Sequence, residues 1–123
     1  MIESALRRVL IIDDDVHVCE TLRRIMDHAG IGHRISLSAK SALAAATEFQ
    51  PDTVIIDFVL PDQDGIALTQ LIKRDHPEIR VVMISGLADF EETLGNLARS
   101  AGVNAFVPKP FRAAEILEVL KDL

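Results

Sequence analysis

The sequence runs VLIIDDD over residues 9–15, so four apolar residues are followed directly by three neighbouring carboxylates. The apolar half is typical of a buried strand, and the acidic half lies where that strand would end. Two unit charges ~5 Å apart at an effective dielectric constant of ~20 repel each other by roughly 3 kcal/mol. Because a divalent cation would offset this repulsion, the stretch predicts a strand that ends at a metal site.

The rest of the chain alternates short apolar runs with segments of helical period. Strands are predicted at 9–12, 35–37, 53–56, 81–84 and 105–107. Helices are predicted over 18–29, 38–49, 65–75, 90–101 and 113–120. This alternation predicts a parallel sheet with helices on both faces. In such sheets the functional crevice lies beyond the carboxyl ends of the strands.

Length and composition fit one globular domain, since the 123 residues are 49% hydrophobic and 26% charged. The net charge of −6 argues against a surface for duplex DNA. No apolar run approaches the ~20 residues of a membrane helix. We therefore expect a cytoplasmic protein with no direct nucleic acid binding and no membrane contact. The single cysteine, Cys19, cannot form an internal disulfide and is expected to be a helix residue.

Polar residues follow four of the predicted strands. They are Asp13, Asp14, Asp15, Asp57, Ser85 and Lys109. Because the carboxyl ends of parallel strands share one edge of the sheet, we expect these side chains to converge there. Carboxylate oxygens suit Mg²⁺, and a carboxylate beside the metal can act as a nucleophile that forms an aspartyl-phosphate. The lysine and the serine hydroxyl would contact the phosphoryl oxygens, and Gly86 has no side chain to block a phosphodonor.

Four motifs, LIIDDD, VIIDFVLPDQDG, VVMISG and FVPKPF, occur in this order along the chain. With these motifs the sequence resembles the receiver domain of two-component response regulators, and the resemblance covers essentially all of residues 1–123 as one domain. It implies a flavodoxin-like (βα)5 fold, an α/β three-layer sandwich. The parallel sheet of such a domain has five strands in the order 2-1-3-4-5.

The resemblance also implies the phosphoacceptor and the metal ligands. Asp57 would accept the phosphoryl group. Mg²⁺, or Mn²⁺ in its place, would be bound by three carboxylates and one backbone carbonyl, those of Asp13, Asp14, Asp57 and Val59.

Further residues match the part of the family pattern that senses the phosphoryl group. Lys109, Ser85 and Gly86 would contact that group. Ser85 and Phe106 would form the conformational switch, and the Lys109–Pro110 peptide bond would be cis.

Three residues depart from the common family pattern. Val59 is apolar where many relatives are polar, which is expected to change how an attacking water is held and so the lifetime of the aspartyl-phosphate. Phe106 lacks the hydroxyl of the common tyrosine, so its switching would depend on packing. Pro108 is expected to stiffen the loop before Lys109. Structural roles, as caps and turn acids, are expected for Asp15, Asp62 and Asp64.

The leading functional hypothesis is a phosphorylation-controlled switch, with a sensor histidine kinase or a histidine phosphotransfer protein as donor. Its output would act on a downstream protein or a C-terminal output domain, and phosphorylation could drive formation of a homodimer. One alternative is a phosphate-independent interaction domain. Another is a phosphatase of the haloacid dehalogenase type, with its nucleophile and acid/base at Asp13 and Asp15.

Overall fold

Five parallel strands form one sheet in the order β2-β1-β3-β4-β5, as predicted. The structure is a computed structural model that describes residues 7–123. The strands are β1 Arg8–Ile12, β2 Gly32–Ser36, β3 Thr53–Asp57, β4 Arg80–Ser85 and β5 Ala105–Pro108. The helices are α1 Val16–Ala29, α2 Ala39–Phe49, α3 Gly65–Asp75, α4 Phe90–Ala101 and α5 Ala113–Asp122. This is the flavodoxin-like arrangement, with a helix following each strand.

The sheet is covered on both faces because its inner strands are apolar on both faces. Successive strand residues point to opposite sides of a sheet. One face of the central strands packs with α2, α3 and α4, through residues such as Leu10, Ile56 and Met83. The other face packs with α1 and α5, through residues such as Ile11 and Ile55. The continuous apolar runs in β3 and β4 follow from this double coverage.

The second strand is the element whose predicted bounds were wrong. Strand β2 begins at Gly32, three residues before the predicted start, and ends at Ser36. Leu37 lies outside the strand and is 47% exposed. The reason is that β2 is an edge strand that pairs only with β1, so much of it is solvent-accessible and carries polar residues. A continuous apolar run is therefore a poor guide to its position.

Helix α2 contacts the sheet through alanines, namely Ala39, Ala42, Ala45 and Ala46. These small side chains explain its weak apolar stripe in the sequence. At the C-terminal end of α2, Arg8 Nε donates a hydrogen bond to the carbonyl of Phe49 at 2.9 Å. The Arg8 guanidinium also lies 4.2 Å from the centre of the Phe49 ring. Within residues 7–123 no helix combines the length and the apolar character needed to cross a membrane.

Candidate functional site

Four strands bring their polar residues to the same edge of the sheet. Asp13 follows β1, Asp57 is the last residue of β3, Ser85 is the last residue of β4, and Lys109 follows β5. Strands β1, β3, β4 and β5 are consecutive neighbours in the sheet, so these side chains line one crevice. The structure thus brings together residues that are up to 96 positions apart, from Asp13 to Lys109.

Three carboxylates converge in this crevice. One carboxylate oxygen from each of Asp13, Asp14 and Asp57 lies within 4.8 Å of the other two. Asp13 is fully buried and Asp57 is 7% exposed, whereas Asp14 is open to solvent. The buried Oδ2 of Asp13 accepts no hydrogen bond of good geometry from the described residues. A cluster of hard oxygen donors with spare acceptor capacity and one solvent-facing side fits Mg²⁺, which commonly keeps several waters.

Lys109 is the cation that faces these carboxylates. Its Nζ lies 3.1 Å from Asp13 Oδ2 and 3.4 Å from Asp57 Oδ2. Burial by itself would lower the pKa of Lys109, but the two carboxylates outweigh it and raise that pKa. Lys109 is therefore protonated at neutral pH. The Lys109–Pro110 peptide bond is cis, the isomer that the family resemblance implies.

Both buried carboxyl groups have raised pKa values. Burial is the largest cause for each of them. For Asp57 the negative charge of Asp13 raises the pKa further, while Lys109 opposes the rise. For Asp13 the backbone N–H of Asp15 and the charge of Lys109 both oppose it. Lys109 thus does not fully offset the cost of burying these carboxylates beside each other, and a further cation would lower their electrostatic energy.

Helix α3 begins directly against the backbone of Asp57. The N–H of Gly65 donates to the carbonyl of Phe58 at 2.6 Å. A Cβ atom at Gly65 would lie 2.6 Å from the carbonyl oxygen of Asp57 and 3.0 Å from Phe58 Cα. Because real Cβ atoms do not approach backbone so closely, only glycine fits here. Val59 lies in the loop between Asp57 and α3, where its side chain is 60% exposed and its backbone bridges to Asp64.

Ser85 and Phe106 line a cavity beside the carboxylates. The buried Ser85 Oγ accepts a hydrogen bond from the N–H of Leu87 at 3.0 Å. The cavity has a volume of about 170 Å³, and its lining includes Met83, Ser85, Phe90 and Phe106. Phe106 is half-buried, and its ring centre lies 6.0 Å from that of Phe90. Gly86 is exposed, so the crevice is open on that side.

The turn acids have the structural roles predicted for them. Asp15 is the N-cap of α1, and Asp64 is the N-cap of α3. Asp62 lies in the same loop as Asp64, yet its two oxygens accept from the backbone N–H groups of Ala39 and Lys40, each at 2.9 Å. These hydrogen bonds lower the pKa of Asp62. Asp62 therefore ties the loop after Asp57 to the start of α2.

Two contacts around the site could not be predicted from the sequence pattern. Cys19, a buried residue of α1 as expected, donates its S–H to the carbonyl of Asp13 at 3.1 Å. Burial raises the pKa of the Cys19 thiol to about 11. The second contact is the guanidinium of Arg99, which lies 5.0 Å from the centre of the Phe106 ring. The first joins α1 to the loop that precedes it, and the second joins α4 to β5, so neither periodicity nor motif spacing indicates them.

A parallel sheet of order 2-1-3-4-5, with acids, a serine and a lysine at its carboxyl edge, defines the class of flavodoxin-like receiver folds. The family model for the response regulator receiver domain matches residues 9–121. The chain therefore belongs to the receiver domains of two-component response regulators.

Curated relatives and solved structures agree with this membership. The nitrogen assimilation regulatory protein NtrX of Azorhizobium caulinodans is 33% identical over 113 residues, which is 90% of this chain and 24% of NtrX. The response regulator MprA of Mycolicibacterium vanbaalenii is 27% identical over 116 residues, 94% of this chain and 49% of MprA. The chain thus spans about a quarter to a half of the length of these relatives.

Among solved structures, the receiver domain of NtrX from Brucella abortus has a TM-score of 0.85 at 35% identity, covering 93% of this chain and 95% of that one. A CheY-like response regulator receiver domain protein from Methanospirillum hungatei has a TM-score of 0.86 at 28% identity. In that case the match covers 95% of this chain and 92% of the other.

Proposed function

We propose that this receiver domain is a switch that is turned on by phosphorylation of Asp57. The observation that carries the proposal is the convergence of three carboxylates within 4.8 Å of one another, with Lys109 Nζ 3.4 Å from Asp57. A carboxylate in such a site can act as a nucleophile toward phosphorus. Membership of the receiver family supports the same assignment.

Asp13, Asp14, Asp57 and the backbone carbonyl of Val59 would hold Mg²⁺, or Mn²⁺ in its place. The donor set of the three carboxylates supports this, because it offers hard oxygens and a solvent-facing side. When bound, the ion would neutralise charge on the phosphoryl oxygens and on the carboxylates. The side chain of Val59 would take no part, which is why an apolar residue is acceptable at this position.

In the transfer step an oxygen of Asp57 would attack the phosphorus of a phosphohistidine on a partner protein. The new O–P bond forms as the N–P bond breaks, and the electron pair of that bond stays on the imidazole nitrogen. Lys109, protonated at neutral pH, would stabilise negative charge on the phosphoryl oxygens. The product is an aspartyl-phosphate, and its later hydrolysis by water would reset the switch. The domain would thus catalyse only its own phosphorylation and dephosphorylation.

The phosphoryl group would act on the fold through Ser85 and Phe106. Ser85 would donate its O–H to a phosphoryl oxygen, and Phe106 would change position in the cavity that both residues line. Such a change biases an equilibrium between two states of the domain. The donor would be a sensor histidine kinase or a histidine phosphotransfer protein. The altered surface would be recognised by a further domain, a downstream protein or a second copy of the chain.

A cytoplasmic location is part of the proposal. It is compatible with Cys19, which is a buried free thiol.

The test is to incubate the protein with a small acyl-phosphate donor and Mg²⁺ and to follow the intact mass under conditions that preserve acyl phosphates. Borohydride reduction of the product converts the phosphorylated aspartate to homoserine, so peptide mapping then locates the modified residue. We expect one added phosphate, on Asp57, in the parent protein. Asp57→Asn and a sample with chelator should gain none.

Asp62→Asn is the matched control, because Asp62 lies in the same loop but caps α2. It should gain phosphate like the parent. Homoserine at Asp13 instead of Asp57 would favour the haloacid dehalogenase mechanism. If phosphate is added neither by this donor nor by a panel of histidine kinases, although the protein is folded and binds Mg²⁺, the domain would be a phosphate-independent interaction module.

A further inference from the structure

Arg99 of α4 forms an extended contact along the outside of its own helix. Its Nη2 donates to Glu91 Oε2 at 2.6 Å, and its Nη1 donates to Asn96 Oδ1 at 3.3 Å. Gly95 lies beneath this ion pair, since a Cβ atom there would be 3.2 Å from Arg99 Nη1 and 3.3 Å from Glu91 Cγ. The absence of a side chain at Gly95 therefore leaves the space in which the guanidinium lies.

The same guanidinium covers the ring of Phe106 on β5, with 5.0 Å between Arg99 Cζ and the ring centre. Arginine at this distance from an aromatic ring is attracted to it electrostatically. The guanidinium of Arg99 therefore lies next to Phe106, and its ion pair with Glu91 fixes its position.

The cavity of about 170 Å³ gives the ring an alternative position. A cavity of ~150 Å³ lined by apolar side chains accommodates benzene, so this one has room for a phenyl ring. Its lining includes Met83, Phe90 and Ser85, and also the acidic residues Asp89, Glu91 and Glu92. A ring inside it would gain apolar contacts, lie beside the Ser85 hydroxyl and lose its contact with Arg99.

We propose that Arg99, held by Glu91, is a positioning residue that keeps Phe106 out of this cavity and so opposes occupation of the phosphorylation site. The proposal rests on the switch function proposed above, because it links the ring position to Ser85. An exposed contact of this kind shifts an equilibrium by about two- to fivefold. By linkage, removing Arg99 would increase the affinity for a phosphoryl mimic by the same factor.

The first test measures the ring position without any phosphoryl group. The protein has three methionines, and Met83 lines the cavity whereas Met26 lies on the other face of the sheet. Met83 and Phe106 are paired residues of neighbouring strands, so with methyl-labelled methionine the parent already shows magnetisation transfer between the Met83 methyl and the Phe106 ring. An increase over the parent value reports entry of the ring into the cavity. We expect this signal to grow in Arg99→Gln and to return toward the parent value in Arg99→Lys, which restores the charge. Met26 is the internal reference.

The second test measures binding of beryllofluoride with Mg²⁺ as a phosphoryl mimic. Arg99→Gln and Glu91→Gln should bind it about two- to fivefold more tightly than the parent. Arg24→Gln is the matched control, because Arg24 forms a comparable ion pair with Glu20 on α1. That variant should match the parent in both tests.

The outcomes separate this proposal from the proposed function. An unchanged ring position in Arg99→Gln would overturn the role of Arg99. A changed ring position with unchanged beryllofluoride affinity would overturn its link to the site. If the parent and Asp57→Asn bind the mimic equally, the proposed phosphorylation site is wrong, and the ring measurement alone then decides whether Arg99 positions Phe106.

Discussion

The buried carboxylate of Asp57 lies beside that of Asp13, which is also buried. This arrangement lowers the free energy of unfolding, and the effect can be measured without phosphate. Carboxylates within 4.8 Å repel by roughly 3 kcal/mol at an effective dielectric constant of ~20, and Lys109 offsets part of this. Asp57→Asn removes the repulsion and leaves the ion pair of Lys109 with Asp13. We expect the variant to be about 1 kcal/mol more stable than the metal-free parent at pH 7.5, which raises the melting temperature by about 4 °C.

The pH dependence of this difference follows from the raised pKa of Asp57. The folded protein holds the proton to a higher pH than the unfolded chain, so ionisation of Asp57 lowers stability as pH rises through the folded pKa. The extra stability of Asp57→Asn over the parent should therefore be greatest at pH 7.5. It should vanish as pH falls toward 3.8, the ordinary pKa of an aspartate. Urea unfolding in chelator at both pH values checks this. A variant less stable than the parent at pH 7.5 would contradict it.

Val59 is the residue expected to control the lifetime of the aspartyl-phosphate. Its exposed aliphatic side chain cannot hydrogen-bond to a water that attacks the phosphoryl group. In Val59→Asn an amide could orient that water, and we expect hydrolysis to be about fivefold faster, or ~1 kcal/mol in the barrier. The decay of the phosphorylated intact mass measures the rate. Val16→Asn, at a similarly exposed valine on α1, is the control, and equal decay in both variants would refute the prediction.

At the scale of elements, Asp62 joins the loop after β3 to α2. Its carboxylate accepts from two backbone N–H groups, whereas an asparagine side chain has one acceptor oxygen and one donor amide. Asp62→Asn should therefore lower the melting temperature by a few degrees at neutral pH.

The contribution of Asp62 to the free energy of unfolding changes with pH in the opposite direction to that of Asp57. Because the folded pKa of Asp62 is lowered, its contribution is present above the ordinary value of 3.8 and is lost as pH falls through the folded pKa. The parent and Asp62→Asn should then converge in strong acid. Thermal melts across pH test this, with Glu118→Gln on α5 as the control for loss of an exposed charge. A difference that persists unchanged in acid would show that the charge of Asp62 is not the cause.

Helix α3 depends on the close approach at Gly65. In Gly65→Ala the new methyl group would meet backbone atoms of Asp57 and Phe58, which cannot move aside as a flexible side chain could. We expect a loss of about 1–3 kcal/mol in the free energy of unfolding, measured in urea. Gly32→Ala is the control, because a Cβ there would be 3.4 Å from the nearest atom, an ordinary contact. Equal stabilities of the two variants would contradict the argument.

At the scale of the whole molecule, the acidic crevice predicts that the free energy of unfolding rises when Mg²⁺ is added. A ligand that binds only the folded state at 100 times its dissociation constant adds ~2.7 kcal/mol of stability. We expect millimolar Mg²⁺ to raise the melting temperature of the parent by several degrees and that of Asp14→Asn by much less. Asp75→Asn, a solvent-exposed acid on α3, should respond like the parent. An equal response in Asp14→Asn would place the ion elsewhere.

Much of this molecule could be predicted from its residues, and the exceptions have two physical causes. Apolar runs and helical periods predicted ten elements, and the acids after β1 and β3 indicated the crevice, because buried parallel strands have a strong sequence pattern. The edge strand β2 was misplaced, since half-exposed strands lack that pattern. The contacts of Asp62 with α2 and of Arg99 with Phe106 join segments far apart, and only the folded chain defines them.

Helix α2 is attached to the rest of the fold at both of its ends as well as through its buried alanines. Its alanines bury little apolar area, while Asp62 holds its first amides and Arg8 holds its last carbonyl. Breaking either attachment would leave α2 held by small alanine side chains, each of which buries less apolar area than a leucine or isoleucine would. Amide hydrogens along α2 are therefore expected to exchange with solvent together, through one opening event, and earlier than those of β3 between its two covered faces. The loop that carries Asp62 directly follows Asp57. Local unfolding of α2 would therefore also release a loop that borders the candidate site.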